Sequence, residues 1–128
     1  MDRVAVLDAS AFLAMIQQEE GARNVADCLP WAIISAVNQC EVLTKLILTG
    51  MEEELAWWHI GEINCECIPF DEEQAKKAAG LVRITRPFGL SFGDRACLAL
   101  AIERKATVYT ADRIWKDLDP GIDIEVIR

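Results

Sequence analysis

Four acidic residues stand where carboxylates could gather at one site. Asp8 ends the apolar run of residues 4–7, and Asp112 ends the stretch "TVYTAD". Asp94 falls in the first turn of a predicted helix, and Glu41 lies about two turns into another, away from its apolar stripe. Because carboxylate oxygens without histidine or cysteine suit hard cations, such a group would bind Mg²⁺ or Mn²⁺ rather than zinc.

Each of these acids also has an ordinary structural role available to it. Asp8 and Asp112 can cap the helices that follow them, and Asp94 suits the positive end of its helix dipole. Glu41 can pair with Lys45, four residues further on. Any one acid is explained in this way, but the four together are explained less well. Like charges that converge on one cleft would raise each other's pKa values unless a divalent cation is bound.

The elements that must position these acids alternate between strand and helix. Apolar runs predict strands at residues 3–7, 32–37, 65–70, 105–110 and 122–127. Helices are predicted over residues 11–18, 22–29 and 51–60, from a Ser35 cap to Gly50, and within "DEEQAKKAAGLV", "SFGDRACLALAIERKA" and "ADRIWKDL". Such alternation predicts an α/β fold with a parallel sheet, helices on both faces, and ligands at the carboxyl ends of the strands.

Composition narrows the class of protein. The 128 residues are 52% hydrophobic, enough for one domain with a single core, and no linker, repeat or low-complexity segment divides them. No apolar run reaches the roughly 18 residues of a membrane span, so we expect a soluble, cytoplasmic protein without a membrane partner. The net charge of −8 excludes a protein that coats nucleic acid non-specifically, but not an enzyme that acts on it.

The five cysteines are odd in number and lie in apolar stretches, which is typical of reduced thiols in a cytosol. Cys65 and Cys67 could approach zinc together with His59, but the usual second pair of ligands is absent. We therefore expect no zinc site there. His59, the only histidine of the sequence, is assigned to the surface or to packing rather than to catalysis.

Four stretches of the chain resemble a known family. "VLDASAF", "ISAVNQCEVL", "LSFGDRACLALA" and "YTADRIW" match, in order and spacing, the motifs of PIN-domain nucleases, most closely the VapC-type ribonuclease toxins of toxin–antitoxin pairs. The resemblance covers the whole chain as a single domain of residues 1–128. It implies a PIN-like three-layer fold with strand order 3-2-1-4-5 and an endoribonuclease that uses Mg²⁺ or Mn²⁺ to cut single-stranded or loop RNA.

The resemblance also implies roles for individual residues. The metal-binding and catalytic residues would be Asp8, Glu41, Asp94 and Asp112, and the supporting donors would be Ser10 and Thr110. Arg95 and Arg113 each follow a proposed ligand by one residue. We expect these two arginines to contact RNA phosphates. The default interpretation is that they are charged surface side chains exposed to solvent. A carboxylate of the antitoxin, paired near the site, could instead hold the enzyme off.

Protein partners are expected on the apolar helices. The helices around residues 25–29 and 43–58 offer more apolar surface than one small sheet can cover, and members of the family pair through such helices, so we expect a homodimer. In the same region, Trp57 and Trp58 are adjacent and cannot both face the same way. We expect an antitoxin segment to dock there as a helix in a groove, with these aromatic side chains as anchors.

Two other α/β classes fit the length but not the acids. A response-regulator receiver domain needs adjacent acids after its first strand, where this chain has a lone Asp8, and a haloacid-dehalogenase-type phosphatase needs a second aspartate where Ser10 stands. A non-catalytic PIN domain that binds a partner protein through its helices is the remaining alternative. The sequence does not separate it from a nuclease.

Overall fold

A computed structural model describes residues 3–128 of the chain. Within that range the strands are β1 (Ala5–Leu7), β2 (Ala32–Ser35), β3 (Glu66–Ile68), β4 (Thr107–Thr110) and β5 (Ile124–Val126). All of them pair in parallel, in the order β3-β2-β1-β4-β5. The α/β class and the strand order implied by the resemblance are therefore confirmed.

Helices connect the strands across both faces of the sheet. They are α1 (Ala9–Gln17), α2 (Ala22–Cys28), α3 (Ala36–Leu48), α4 (Glu53–Ile63), α5 (Glu72–Gly80), α6 (Val82–Thr85) and α7 (Phe92–Arg104). Short 3₁₀ turns follow at Leu29–Trp31, Arg86–Phe88 and Arg113–Asp117. None of the helices in residues 3–128 has the length and apolar character needed to cross a membrane.

The central strand β1 shows why the sheet is covered on both faces. All three of its residues are buried, and successive side chains enter two separate cores. Leu7 packs among residues of α1 to α4, whereas Val6 packs among residues of α5 and α7. This is the three-layer arrangement expected of a parallel sheet whose strands read as continuous apolar runs.

Capping side chains fix where the helices next to the sheet edge begin. Ser35 accepts a hydrogen bond from the Val37 amide at 3.2 Å and so starts α3, as predicted. α7 starts with a capping box, in which Ser91 and Asp94 each bond the other's main-chain nitrogen. The strands and helices that carry the acids therefore begin and end at defined residues.

A few elements differ from the predicted ones. α1 begins at Ala9, two residues earlier than predicted, because Asp8 is its cap. The turn α6 and the 3₁₀ turn after it were not among the predicted elements. At α5 a capping box is half formed, because Asp71 accepts from the Gln74 main-chain amide while the Gln74 side chain donates to the Pro69 oxygen.

Candidate active site

The carboxyl edge of the sheet carries a shallow pocket of about 280 Å³. Its lining residues come from the ends of β1 and β4 and from three helices, and they are Asp8, Ala9, Ser10, Leu13, Glu41, Lys45, Asp94 and Asp112. The structure thus brings the four predicted acids to one pocket, at the edge where parallel α/β folds bind their ligands.

Asp8 is a buried carboxylate held by donors from two elements. Its Oδ1 accepts from the Ser10 hydroxyl at 2.7 Å and the Ala11 amide at 2.8 Å, and its Oδ2 accepts from the Thr110 hydroxyl at 2.5 Å. Burial raises the pKa of Asp8 to about 6, against the lowering effect of these hydrogen bonds, and the charge of Asp94 raises it further. Asp8 is therefore both the cap of α1 and a wall of the pocket.

Ser10 and Thr110 join the two strand ends that carry acids. The Ser10 hydroxyl accepts from the Ala111 amide at 2.9 Å, and the Thr110 hydroxyl accepts from the Asp112 amide at 3.1 Å. Both hydroxyls also donate to Asp8, as described above. They consequently fix the position of Asp8 relative to the loop after β4. Their role as supporting donors of a metal site stays a prediction.

Glu41 lies on α3 with its carboxyl half-buried. Burial raises the pKa of Glu41, a hydrogen bond from Asn38 lowers it, and the charge of Asp94 raises it again. Asn38 Nδ2 donates to Glu41 Oε1 at 2.8 Å and to the Gly93 main-chain oxygen at 3.0 Å. In the part of the chain that the structure describes, the ion pairs do not include one between Glu41 and Lys45, so the predicted pair is not formed.

Asp94 and Asp112 each use one carboxylate oxygen as a helix cap. Asp94 Oδ2 accepts from the Ser91 amide at 2.8 Å, and Asp112 Oδ1 accepts from the Ile114 amide at 3.1 Å. The second oxygen of each has no hydrogen-bond donor among residues 3–128. The structural roles considered for these aspartates are therefore present, and each leaves an oxygen free for a ligand.

The acids suit a hard divalent cation by their chemistry. They offer carboxylate oxygens backed by two hydroxyls, and the pKa values of Asp8 and Glu41 are raised partly by the charge of Asp94. Within residues 3–128, no three histidine, cysteine or acidic side chains converge closely enough to hold an ion directly. Mg²⁺ keeps several of its waters and binds through one or two carboxylates, so this open arrangement fits it.

The predicted arginines and tryptophans are not among the residues that line the pocket. Arg95 donates to the Ala78 main-chain oxygen at 3.0 Å, and Arg113 donates to the Arg128 main-chain oxygen at 3.0 Å. Trp57 and Trp58 are 55% and 57% exposed on α4. The RNA and antitoxin roles of these residues stay predictions.

The cysteines and the histidine take no part in the pocket. All five cysteines are free, with Cys28 and Cys97 buried. His59 packs edge-on against Trp58 with ring centroids 5.1 Å apart, in keeping with a packing role. Burial raises the pKa of the Cys65 thiol to about 12 and that of Cys28 to about 11, which makes both poor thiolate ligands at neutral pH.

Sequence reasoning gave three residues near Glu41 no functional role. Lys45 lines the pocket, Asn38 binds Glu41, and Gly93 lies so close that a Cβ there would collide with the Glu41 carboxylate. Asn38 and Lys45 stand three before and four after Glu41 on one face of α3, so helical spacing already grouped them. The approach of Gly93 has no counterpart in local sequence.

Comparison with known proteins places the chain in a family. The sequence model of the PIN domain matches residues 5–120, and a comparison with curated proteins finds no match. The fold is similar to that of VapBC2 from Rickettsia felis bound to a promoter DNA fragment, with a TM-score of 0.76 and 16% identity over 98% of this chain and 99% of the other.

Two further solved structures are similar. DNA-bound VapBC from Salmonella typhimurium gives a TM-score of 0.76 at 19% identity over 98% of this chain and 99% of the other. VapBC-5 from Mycobacterium tuberculosis, of the VapBC family of toxin-antitoxin systems, gives 0.59 at 22% identity over 98% of each chain. With the family match spanning most of the sequence and the fold in agreement, the chain belongs to the PIN domain family.

Proposed function

We propose that this protein is a divalent-metal-dependent endoribonuclease that acts on single-stranded or loop RNA, and that it is the toxin of a type II toxin–antitoxin pair. The proposal rests above all on the position of the Glu41 carboxyl. Asp8 and Asp112 cap helices and Asp94 completes the capping box of α7, and these roles alone explain their presence. Glu41 caps nothing and pairs with no cation among residues 3–128, yet its carboxyl is half-buried beside them.

The residues that would hold Mg²⁺ or Mn²⁺, directly or through its waters, are the four acids of the pocket, Asp8, Glu41, Asp94 and Asp112. When bound, such a cation supplies a water of lowered pKa and positive charge opposite the phosphoryl oxygens. Ser10 and Thr110 keep Asp8 in one orientation through its two oxygens. The caps of α1 and α7 hold Asp8 and Asp94 on rigid elements, which favours precise positioning of ligands.

RNA binding has to overcome the net charge of −8. A bound cation reduces the negative charge of the pocket, and nearby arginines can neutralise phosphates. Arg95 and Arg113 directly follow two of the acids in sequence, and we propose that they contact RNA phosphates beside the pocket. Their main-chain hydrogen bonds hold both guanidinium groups in place.

The solved structures with a similar fold support a protein partner. VapBC-5 is a member of the VapBC family of toxin-antitoxin systems, and a toxin–antitoxin complex from Klebsiella pneumoniae has a similar fold as well. For this chain we propose a cognate antitoxin that docks on α4 at Trp57 and Trp58, together with a homodimer, in the cytoplasm. The exposure of both tryptophans supports the docking position, since exposed aromatic residues are typical anchors of such contacts.

RNA cleavage by the purified chain tests the proposed activity. With Mg²⁺ present, the wild type should cleave RNA, and EDTA should abolish cleavage. Glu41→Gln should lower the rate by at least about 100-fold, because it removes a ligand charge. Glu103→Gln, an exposed position on α7, is the matched control and should cleave normally.

The alternative is a PIN domain that only binds a partner protein. The exposed apolar side chains of α4 support this alternative, because such side chains are typical of a surface that binds another protein. It predicts no cleavage by the wild type under any metal, with antitoxin binding intact. Cleavage that persists in Glu41→Gln or in EDTA would contradict the proposed site, because the activity would then not depend on these residues or on a cation.

A further inference from the structure

We infer that Asn38 and Gly93 together determine where the Glu41 carboxylate lies, and that Asn38 is a positioning residue of the site. The inference rests on the proposed function to the extent that Glu41 is a metal ligand there. Asn38 lies one helical turn before Glu41 on α3, and Gly93 lies in the first turn of α7, next to Asp94. The two residues therefore act on Glu41 from its own helix and from the helix packed against it.

The side-chain amide of Asn38 bridges α3 and α7. Its Nδ2 donates to Glu41 Oε1 at 2.8 Å and to the Gly93 main-chain oxygen at 3.0 Å. A carboxylate and a carbonyl can only accept, so the amide nitrogen must face them both. Asn38 is 1% exposed, and surrounding atoms leave it little freedom to turn. One carboxylate oxygen of Glu41 is thereby fixed relative to α7.

The Asn38 side chain also lowers the stability of the fold in two ways. Asn38 Oδ1 is buried without a hydrogen-bond donor in the described part of the chain, and asparagine is a poor helix former. Alanine at this position would carry neither cost, because it has no polar side-chain atom and is the strongest helix former. Departures of this kind from local stability are expected at functional sites, so we attribute the amide to its hold on Glu41.

Gly93 provides the space into which the carboxylate fits. A Cβ at this position would collide with Glu41 Cδ and with both of its carboxylate oxygens. Since the colliding atoms are the end of a flexible side chain, alanine at position 93 would displace Glu41 and leave α7 folded. Gly61 on α4 is different, because a Cβ there meets nothing within 4 Å.

Titration of the full chain with Mn²⁺, followed by calorimetry or by the electron paramagnetic resonance of the ion, tests the inference without RNA. Asn38→Ala and Gly93→Ala should each weaken Mn²⁺ binding by about tenfold or more, the usual effect of removing a group that orients a ligand. Glu41→Ala should weaken it at least as much. Asn38→Ser, which cannot reach both acceptors, repeats the test if Asn38→Ala folds poorly.

The chain offers a matched control for each change. Gln74 is also a buried amide with an unpartnered oxygen, and its Nε2 donates to the Pro69 main-chain oxygen, away from the pocket. Gln74→Ala should therefore bind Mn²⁺ like the wild type. Gly61→Ala should do so as well, and both glycine variants should melt at or above the wild-type temperature, because alanine favours a helix.

Double variants separate positioning from general damage. In a Glu41→Ala background, adding Asn38→Ala or Gly93→Ala should cause no further loss of Mn²⁺ affinity, because both act through Glu41. If both double variants lose affinity again, the residues act on the fold as a whole and the inference is wrong.

The single variants distinguish the inference from the function on which it rests. If Glu41→Ala weakens Mn²⁺ binding while Asn38→Ala and Gly93→Ala bind normally, the positioning role is wrong and the proposed site stands. If Glu41→Ala itself binds Mn²⁺ normally, Glu41 is not a ligand, and both proposals are wrong.

Discussion

Asp8 is stabilised by three hydrogen bonds but destabilised by its burial. Burial raises the pKa of its carboxyl from 3.8 to about 6. The folded protein therefore binds this proton more tightly than the unfolded chain does. Protonation of Asp8 stabilises the fold; this stabilisation is complete below about pH 4 and is lost as the pH rises through about 6. Without metal, ionised Asp8 consequently lowers the free energy of unfolding at neutral pH by up to about 3 kcal/mol.

Asp8→Asn should therefore be as stable as the wild type or more stable in metal-free buffer at neutral pH, with a gain that disappears near pH 4. Asparagine keeps a capping oxygen and removes the charge. The same change should abolish both the cleavage of RNA and the stabilisation of the fold by Mg²⁺. Urea denaturation across the pH range, with EDTA or with Mg²⁺, measures the changes in stability, and an RNA cleavage assay measures the activity. An active variant whose free energy of unfolding still rises with Mg²⁺ would show that Asp8 only caps α1.

Thr110 carries a hydroxyl that two groups of the site share. It donates to Asp8 Oδ2 and accepts from the Asp112 amide, and its side chain is fully buried. Thr110→Val keeps the shape and leaves both groups without this partner, so it should lower the free energy of unfolding by about 2–3 kcal/mol. Chemical denaturation measures this loss.

Thr85→Val is the control for that prediction. Thr85 is also fully buried, but its hydroxyl donates to the Leu81 oxygen, which already accepts from the Thr85 amide. No group is left unpartnered when it is removed, so the loss should stay below about 1 kcal/mol. Equal losses at the two positions would contradict the shared role of Thr110.

Among the helices and strands, the sequence predicted the features that depend on residues close together in the chain. Continuous apolar runs marked the strands, and Ser35 and Ser91 start their helices as expected. The carboxyl ends of parallel strands meet at one edge, so the grouping of Asp8 with Asp112 could be predicted as well. The strand order came from the resemblance and not from periodicity.

The features that the sequence did not predict depend mainly on contacts between residues far apart in the chain. Asn38 meets the Gly93 oxygen across 55 residues, and no local pattern specifies that approach. The Glu41–Lys45 pair, predicted from helical spacing, gives way to the bond with Asn38 because α7 packs against α3 at this point. α6 is a four-residue turn, too short for a periodic pattern to reveal.

Helix α4 is the element on which we expect the antitoxin to dock. Since Trp57 and Trp58 are more than half exposed, truncating either should change the stability of the isolated chain by less than about 1 kcal/mol. Trp57→Ala or Trp58→Ala should nevertheless weaken antitoxin binding at least about tenfold. Calorimetric titration measures this, with Ile84→Ala, 42% exposed on α6, as the control. Unchanged affinity in both tryptophan variants would place the docking site elsewhere.

For the molecule as a whole, the end of α3 and the helix α4 carry several large apolar side chains that are exposed. Leu48 is 80% exposed and Leu55 is 48% exposed, next to the tryptophans of α4. Exposed apolar side chains on neighbouring helices are typical of an interface, and most soluble oligomers are symmetric dimers. We therefore expect two copies of the chain to pair through this region.

Light scattering at micromolar concentration should give twice the chain mass of 14.3 kDa. Leu48→Glu should shift the protein to a monomer, because it places an ionised carboxylate in the apolar contact, where burial is unfavourable. Val82→Glu on α6, at a position 43% exposed and outside this region, should stay dimeric. A wild-type monomer would rule out the homodimer, and a dimeric Leu48→Glu would place the contact on another face. The antitoxin position on α4 would not be contradicted by either result, since the tryptophan variants test it separately.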